Sequence, residues 1–280
     1  MHLSDTLILL RGGGDLATGV AHRLHAAGLT LLISELAQPT CVRRAVSFAE
    51  AVYAGSITVE GVTARRAPDP MVGMAYTVLN EIPVMVDDGT VVMQMHPAVV
   101  IDARLAKRSA GTTINDAPLV IGLGPGFTAG VDCHAVVETN RGHNLGRVYW
   151  EGNAEADTGE PEPVQGYTAK RVLRAPANGL FQGALEIGDL VKKGQVIASV
   201  NGKPIKAQFD GVLRGLLHDD LRVIVGMKVG DLDPRGAREF CFSISDKARA
   251  VGGGVLEAVL AGQRYWMPEP TPEERDKGLP

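Results

Sequence analysis

Two apolar runs that stop abruptly at glycine-rich loops constrain this chain more than anything else in it. Leu7–Leu10 leads into Arg11-Gly-Gly-Gly-Asp15, and Leu119–Leu123 leads into Gly124-Pro-Gly-Phe127. Glycine lets bare backbone approach a ligand and takes turn conformations that other residues avoid. In the first loop Gly12, Gly14 and Ala17 fit G-x-G-x-x-A, and Val20, Ala21, Leu24 and Ala27 follow at helical spacing before a second apolar run ends at Glu35. The order strand, glycine turn, helix, strand, acid predicts a dinucleotide-type pocket. Gly12 makes the turn, Gly14 admits a phosphate, Ala17 packs helix on strand and Glu35 accepts from ribose hydroxyls. The anion would meet the helix amino terminus, where N–H groups are unpaired. Asp15, inside the loop, suits a helix cap or a metal better than an anion.

In the second loop Gly122, Gly124 and Gly126 can turn several N–H groups toward another anion. Asp132, His134, Glu138, Arg141 and His143 follow at spacings of two to four. Arg141 suits a phosphate or carboxylate held by two parallel hydrogen bonds, or else is a solvated surface arginine. His134 and His143 are the candidates for a general acid or base. With no H-x-H or H-E-x-x-H pattern, no catalytic metal is expected, and Cys133 reads as a buried, inert thiol.

A chain of 280 residues, 45% of them hydrophobic, can bury a large core, and two domains are expected. The net charge of −4 with interspersed signs argues against nucleic acid as a partner. No apolar run reaches the roughly 18 residues of a membrane helix. Three widely spaced cysteines, Cys41, Cys133 and Cys241, suggest neither a disulfide framework nor a zinc site, and fit a cytoplasmic protein.

Along the chain, Arg43 to Tyr53 reads as a second helix and Ser56 to Arg66 as a hairpin about Glu60-Gly61. Val84–Val86 and Val99–Ile101 supply further buried strands, with Asp87, Asp88 and Asp102 at strand ends. Glu151 to Gly166 holds five acids and no base, which places a linker there. The expected division is 1–165, 166–244 and a terminal helix and tail over 245–280. Ala175-Pro-Ala-Asn-Gly179 and Ala207-Gln-Phe-Asp-Gly211 form a weak repeat around a turn, and the stretch from Arg174 to Asp231 resembles the barrel-sandwich hybrid fold of biotinyl and lipoyl domains. Lys203 is a poor carrier lysine, because its Asn201-Gly-Lys-Pro204 tip is short and lacks the flanking methionines; docking or lid duty fits better. Ser245-Asp246 can cap a last helix, although Gly252-Gly-Gly254 inside it costs about 1 kcal/mol per glycine relative to alanine. Close packing or a ligand at a broken helix must offset that.

Arg11-Gly-Gly-Gly-Asp-Leu-Ala-Thr-Gly-Val-Ala-His-Arg-Leu24, Ala45-Val-Ser-Phe-Ala-Glu-Ala-Val-Tyr53, the run Gly122 to Gly146 and Val229-Gly-Asp-Leu-Asp-Pro-Arg235 together resemble the accessory protein family of the selenium-dependent molybdenum hydroxylase system. The resemblance covers nearly the whole chain. It implies a bacterial cytoplasmic maturation factor with a molybdenum hydroxylase client, one that binds cofactor rather than catalysing. The expected fold is α/β: a Rossmann-like sheet domain, then a small all-β barrel-sandwich hybrid domain and a carboxy-terminal helix packing back on the first domain. The expected ligand is molybdopterin dinucleotide or a related nucleotide between the two loops. The rivals are an NAD(P)-dependent oxidoreductase or nucleotide-modifying enzyme using His134 or His143, and a non-catalytic protein docking on the hydroxylase. Homo-oligomers are compatible with any of these.

Overall fold

The computed structural model describes residues 6–87, 90–106, 110–156 and 164–267. Asp88, the acidic stretch over 157–163 and the tail from 268 lie outside the described residues. The first half runs β1 (Leu7–Arg11), α1 (Asp15–Ala26), β2 (Thr30–Glu35), α2 (Ala51–Ala54), β3 (Ser56–Val59), β4 (Val62–Ala67), α3 (Pro70–Val78) and β5 (Ile82–Val86). It continues through α4 (Thr90–Met93), β6 (Val99–Asp102), β7 (Leu119–Leu123), β8 (Thr128–Ala129), β9 (Ala135–Val137), β10 (Val148–Tyr149) and β11 (Gly152–Asn153). The second half holds β12 (Val172–Arg174), β13 (Gly179–Gly183), β14 (Leu190–Val191), β15 (Val196–Val200), β16 (Lys203–Lys206), β17 (Gly211–Leu216), β18 (Arg222–Val223) and β19 (Lys228–Asp233). Helices α5 (Asp246–Ala261) and α6 (Gln263–Trp266) close the described chain.

Nine strands form one sheet in the order β10-β9-β7-β6-β1-β2-β5-β4-β3. The pairs from β9 through β4 are parallel, while β3 runs antiparallel to β4 and β10 antiparallel to β9. Alternate residues of β1 serve opposite faces, as strand geometry requires. Ile8 and Leu10 join the core under α1 and α5, and Leu9 joins the core on the other face with Leu32, Val100 and Val120. Burial on both faces is why these strands read as unbroken apolar runs. In the hairpin, Glu60 and Gly61 both have positive φ, 47° and 84°, the backbone of a tight two-residue turn.

The fold expectation needs correcting in both of its parts. The first sheet is a large mixed sheet with antiparallel strands at either end, rather than a regular Rossmann-like layer. The second half is not a barrel-sandwich hybrid but two open four-stranded antiparallel sheets, β12-β19-β17-β14 and β16-β15-β13-β18. Phe181, Phe209 and Leu213 lie in the apolar core of these two sheets. The expected helix from Arg43 to Tyr53 is also wrong. Two short 3-10 turns, Arg44–Val46 and Phe48–Glu50, precede α2. Tertiary hydrogen bonds take the backbone away from helical pairing: Leu216 N donates to Val42 O at 2.7 Å, Phe48 N to Thr18 Oγ1 at 2.8 Å, and Ala49 N to Gly13 O at 2.8 Å.

Helix α5 leaves the second half and packs on α1 and the large sheet through Val251, Val255, Ala258 and Val259. Ser245 caps it, accepting from Ala248 N at 3.2 Å. The three glycines separate into two kinds here. A methyl group on Gly252 would lie 2.6 Å from Gly19 O, and one on Gly19 would lie 2.6 Å from Ala248 O, so α1 and α5 touch backbone to backbone. Gly253 faces open space, with nothing within 4 Å of an added Cβ. Gly253→Ala is therefore expected to raise stability by about 0.5–1 kcal/mol, read as a higher denaturant midpoint.

Candidate functional site

The chain leaves β1 to build β2 on one side and returns later to build β6 on the other, so strand order reverses at β1. A crevice opens at the carboxyl ends of parallel strands at such a point. Here it measures about 360 Å³ and is walled by Gly12 and Gly14 before α1, Glu35 after β2, Asp87 after β5, Arg104 after β6, and Cys41. Asp15 and Ala17 from the first turn of α1 complete the amino-terminal wall.

The end of α1 is poorly satisfied from within the protein. No side chain caps Gly14, which takes φ −63° and ψ 179°. Gly13 N donates to Glu35 Oε2 at 2.7 Å, and among the described residues the N–H groups of Asp15, Leu16 and Ala17 find no acceptor. A helix amino terminus in this condition attracts an anion. Glu35 also accepts from Leu36 N at 2.7 Å, which fixes its carboxylate at the crevice edge. Asp15 turns away to Arg43, 3.2 Å off. Arg43 in turn donates to Phe240 O at 3.1 Å and Ser243 O at 3.2 Å, tying the loop to the second half.

Arginines brace the opposite wall. Arg11 donates to Asp116 at 2.6 Å, and Arg104 and Thr112 both donate to the buried Asp102. Burial works to raise the Asp102 carboxyl, but the hydrogen bonds and charge of Arg104 with the Thr112 hydroxyl outweigh it and hold the group below the usual carboxylate range. Cys41 faces the crevice as a thiol, because burial and then the Glu35, Asp15 and Glu50 carboxylates push its ionisation far upward. Burial and these carboxylates act against a thiolate there.

Of the residues singled out in the sequence, Gly12, Gly14, Asp15, Ala17 and Glu35 come together in this crevice; Gly122, Gly124, Gly126, Arg141, His134 and His143 do not line it. The second loop does follow β7 at the same sheet edge, but side chains fill it. An added Cβ on Gly124 would overlap Thr139 Oγ1, and one on Gly122 would overlap the Phe127 ring. These glycines make room for protein. Arg141 pairs with Asp246 at the start of α5. His134 Nδ1 accepts from Val120 N at 3.0 Å and burial lowers its basicity, while His143 is exposed in a turn. Arg104, Asp87 and Cys41 were not anticipated as site residues; the signal for the first two was their position just beyond apolar strands.

Fold and crevice define a mixed-sheet α/β protein with a ligand-sized opening where strand order reverses. Over 255 residues, 91% of its length, the chain is 51% identical to the uncharacterized protein YqeB of Escherichia coli strain K12, and it spans about half, 47%, of that relative's length. No family model matches the chain. Matching solved structures include an aspartoacylase family protein from Mesorhizobium loti, at 13% identity over 81% of this chain and 84% of that one with a TM-score of 0.25. Another is a succinylglutamate desuccinylase/aspartoacylase from Rhodobacter sphaeroides, at 14% identity over the same shares with a TM-score of 0.26. Likeness this low carries no conclusion about this chain's chemistry.

The expectation of a molybdenum hydroxylase maturation factor is corrected. The second anion cradle on which that reading depended is filled by Thr139 against Gly124 and Phe127 against Gly122, and the 51% identical relative is itself named only as uncharacterized. Its rivals fall with it. The histidines offered as general acid or base lie outside the crevice. Among the described residues no helix is long and apolar enough to cross a membrane.

Proposed function

We propose that this protein binds a small phosphate ester bearing free hydroxyls in the crevice at the α1 amino terminus. The observation that carries the reading is the uncapped first turn of α1 opening into that crevice. The N–H groups of Asp15, Leu16 and Ala17 would take the phosphate oxygens. Glu35 and Asp87, on neighbouring strand ends, would accept from hydroxyls. Arg104, paired with Asp102, stands at the rim with its side chain 32% exposed. A volume near 360 Å³ sits at the small end of ligand pockets, which suits one phosphate ester rather than a dinucleotide reaching to a second cradle. The site offers binding groups, and recognition is the activity assigned.

Gly14→Asp separates ligand binding from folding. Gly14 has dihedrals open to any residue, and its added Cβ would stand 3.4 Å from Cys41 Sγ, an ordinary contact. The new carboxylate would cap α1, adding roughly a few tenths of a kcal/mol while occupying the donors a phosphate needs. With ribose 5-phosphate as probe, the wild type should melt higher in a concentration-dependent way, by about 2.7 kcal/mol at 100 times the dissociation constant. Gly14→Asp should melt higher alone and not respond to the probe. A response retained in the variant, or none in the wild type, would refute the assignment.

A further inference from the structure

A second, shallow groove of about 490 Å³ lies in the second half and shares no lining residue with the crevice. Its floor is apolar, formed by Val172, Leu173, Pro176, Pro204 and Ile205, and its charged lining residues are Lys170, Arg174 and Lys206. No carboxylate lines it. Each of the three cations is exposed; Arg174 donates to Gly226 O at 2.9 Å, whereas no acid pairs with Lys170 or Lys206 among the described residues.

The groove also sits between two open sheet edges. Strand β12 is the outer strand of one four-stranded sheet, and β16 is the outer strand of the other. An open edge presents unpaired backbone groups that can accept an added strand. Lysines and a proline on such an edge act against self-pairing, since two copies would bring like charges together and Pro204 lacks an N–H. The same lysines favour a strand of opposite charge.

We propose that this groove docks an extended acidic peptide segment of a partner protein. Apolar side chains on one face of the segment would pack on Val172, Pro176 and Ile205, and carboxylates on the other would reach Lys170, Arg174 and Lys206. The apolar floor and the paired edges favour a peptide over a nucleic acid or polyphosphate, which would ask for a longer cationic track than these side chains make.

Fluorescence anisotropy of a labelled peptide with alternating glutamate and valine tests this on the full chain at low salt. Saturable binding is expected, weakened at least tenfold by the double variant Lys170→Glu, Lys206→Glu, with no binding of an alternating lysine and valine peptide. Amide hydrogen exchange on the wild type supplies a readout independent of any variant: exchange should slow at residues 172–174 and 203–206 when the acidic peptide is added. Unchanged exchange there, equal affinity in the double variant, or equal binding of a single-stranded oligonucleotide of the same charge would each overturn the proposal.

Discussion

Asp233→Ala should cost about 3–5 kcal/mol of folding free energy, read from the urea midpoint, because it strands buried positive charge. Asp233 ends β19 with no solvent exposure. It accepts from Arg235 N at 3.0 Å, Nε at 2.9 Å and the terminal nitrogen at 2.6 Å, and faces Arg214 at 3.7 Å. The Arg214 side chain is 12% exposed, and its Nε finds no partner among the described residues. Without the carboxylate this desolvated guanidinium would keep Asp231 as counter-charge while facing the like charges of Arg43 and Arg235. Burial tends to raise the Asp233 carboxyl, yet the hydrogen bonds and charge of Arg235, with Arg214, prevail and hold it below the ordinary value. A carboxyl depressed in the folded state contributes its full stability above its unfolded value, near 3.9, and loses it as pH falls through the lower folded value. The gap between wild type and variant should thus be level from about pH 5 to 7 and narrow below about pH 4. A gap that widens on acidification would contradict this account.

Gly254→Ala is expected to destabilise by about 3 kcal/mol although alanine is the better helix former. The new methyl would overlap Gly146 O and stand 2.9 Å from Val137 Cγ1. Gly146 cannot retreat freely: its φ is 81°, its N–H donates to Glu138 O at 3.0 Å, and its own added Cβ would come 2.7 Å from Ala250 O. Two backbones meet there with no side chain between them, so α5 would have to lift from the sheet. Set beside the gain expected at Gly253, the neighbouring substitution controls for helix propensity; equal effects at the two positions would show that packing does not distinguish them.

The first glycine loop was legible because its logic is local. Turn, helix start and following acid are fixed within thirty residues by spacing alone, and the crevice forms where that spacing puts it. The second loop was misleading for an equally physical reason. A glycine that admits a ligand and a glycine that admits Phe127 or Thr139 present the same letter, and only the packed neighbours tell them apart. Glu138 illustrates the same limit: a candidate acid in the sequence, it is wholly buried and accepts from Asn140 N at 2.6 Å and Glu155 N at 2.7 Å, holding two loops together.

What the residue order determined by itself was the set of buried strands, the α1 turn and the capped glycine-bearing α5, since apolar periodicity, glycine dihedrals and a serine cap act over a few residues. Tertiary packing decided the rest. Strand order in the large sheet brought Arg104 and Asp87 to the rim beside Glu35, contact with the second half pinned Val42 to β17 so that the following segment could not stay helical, and Phe127 and Thr139 closed the second loop. Contacts between residues tens of positions apart depend on which surfaces pack best together, and no local pattern encodes that choice.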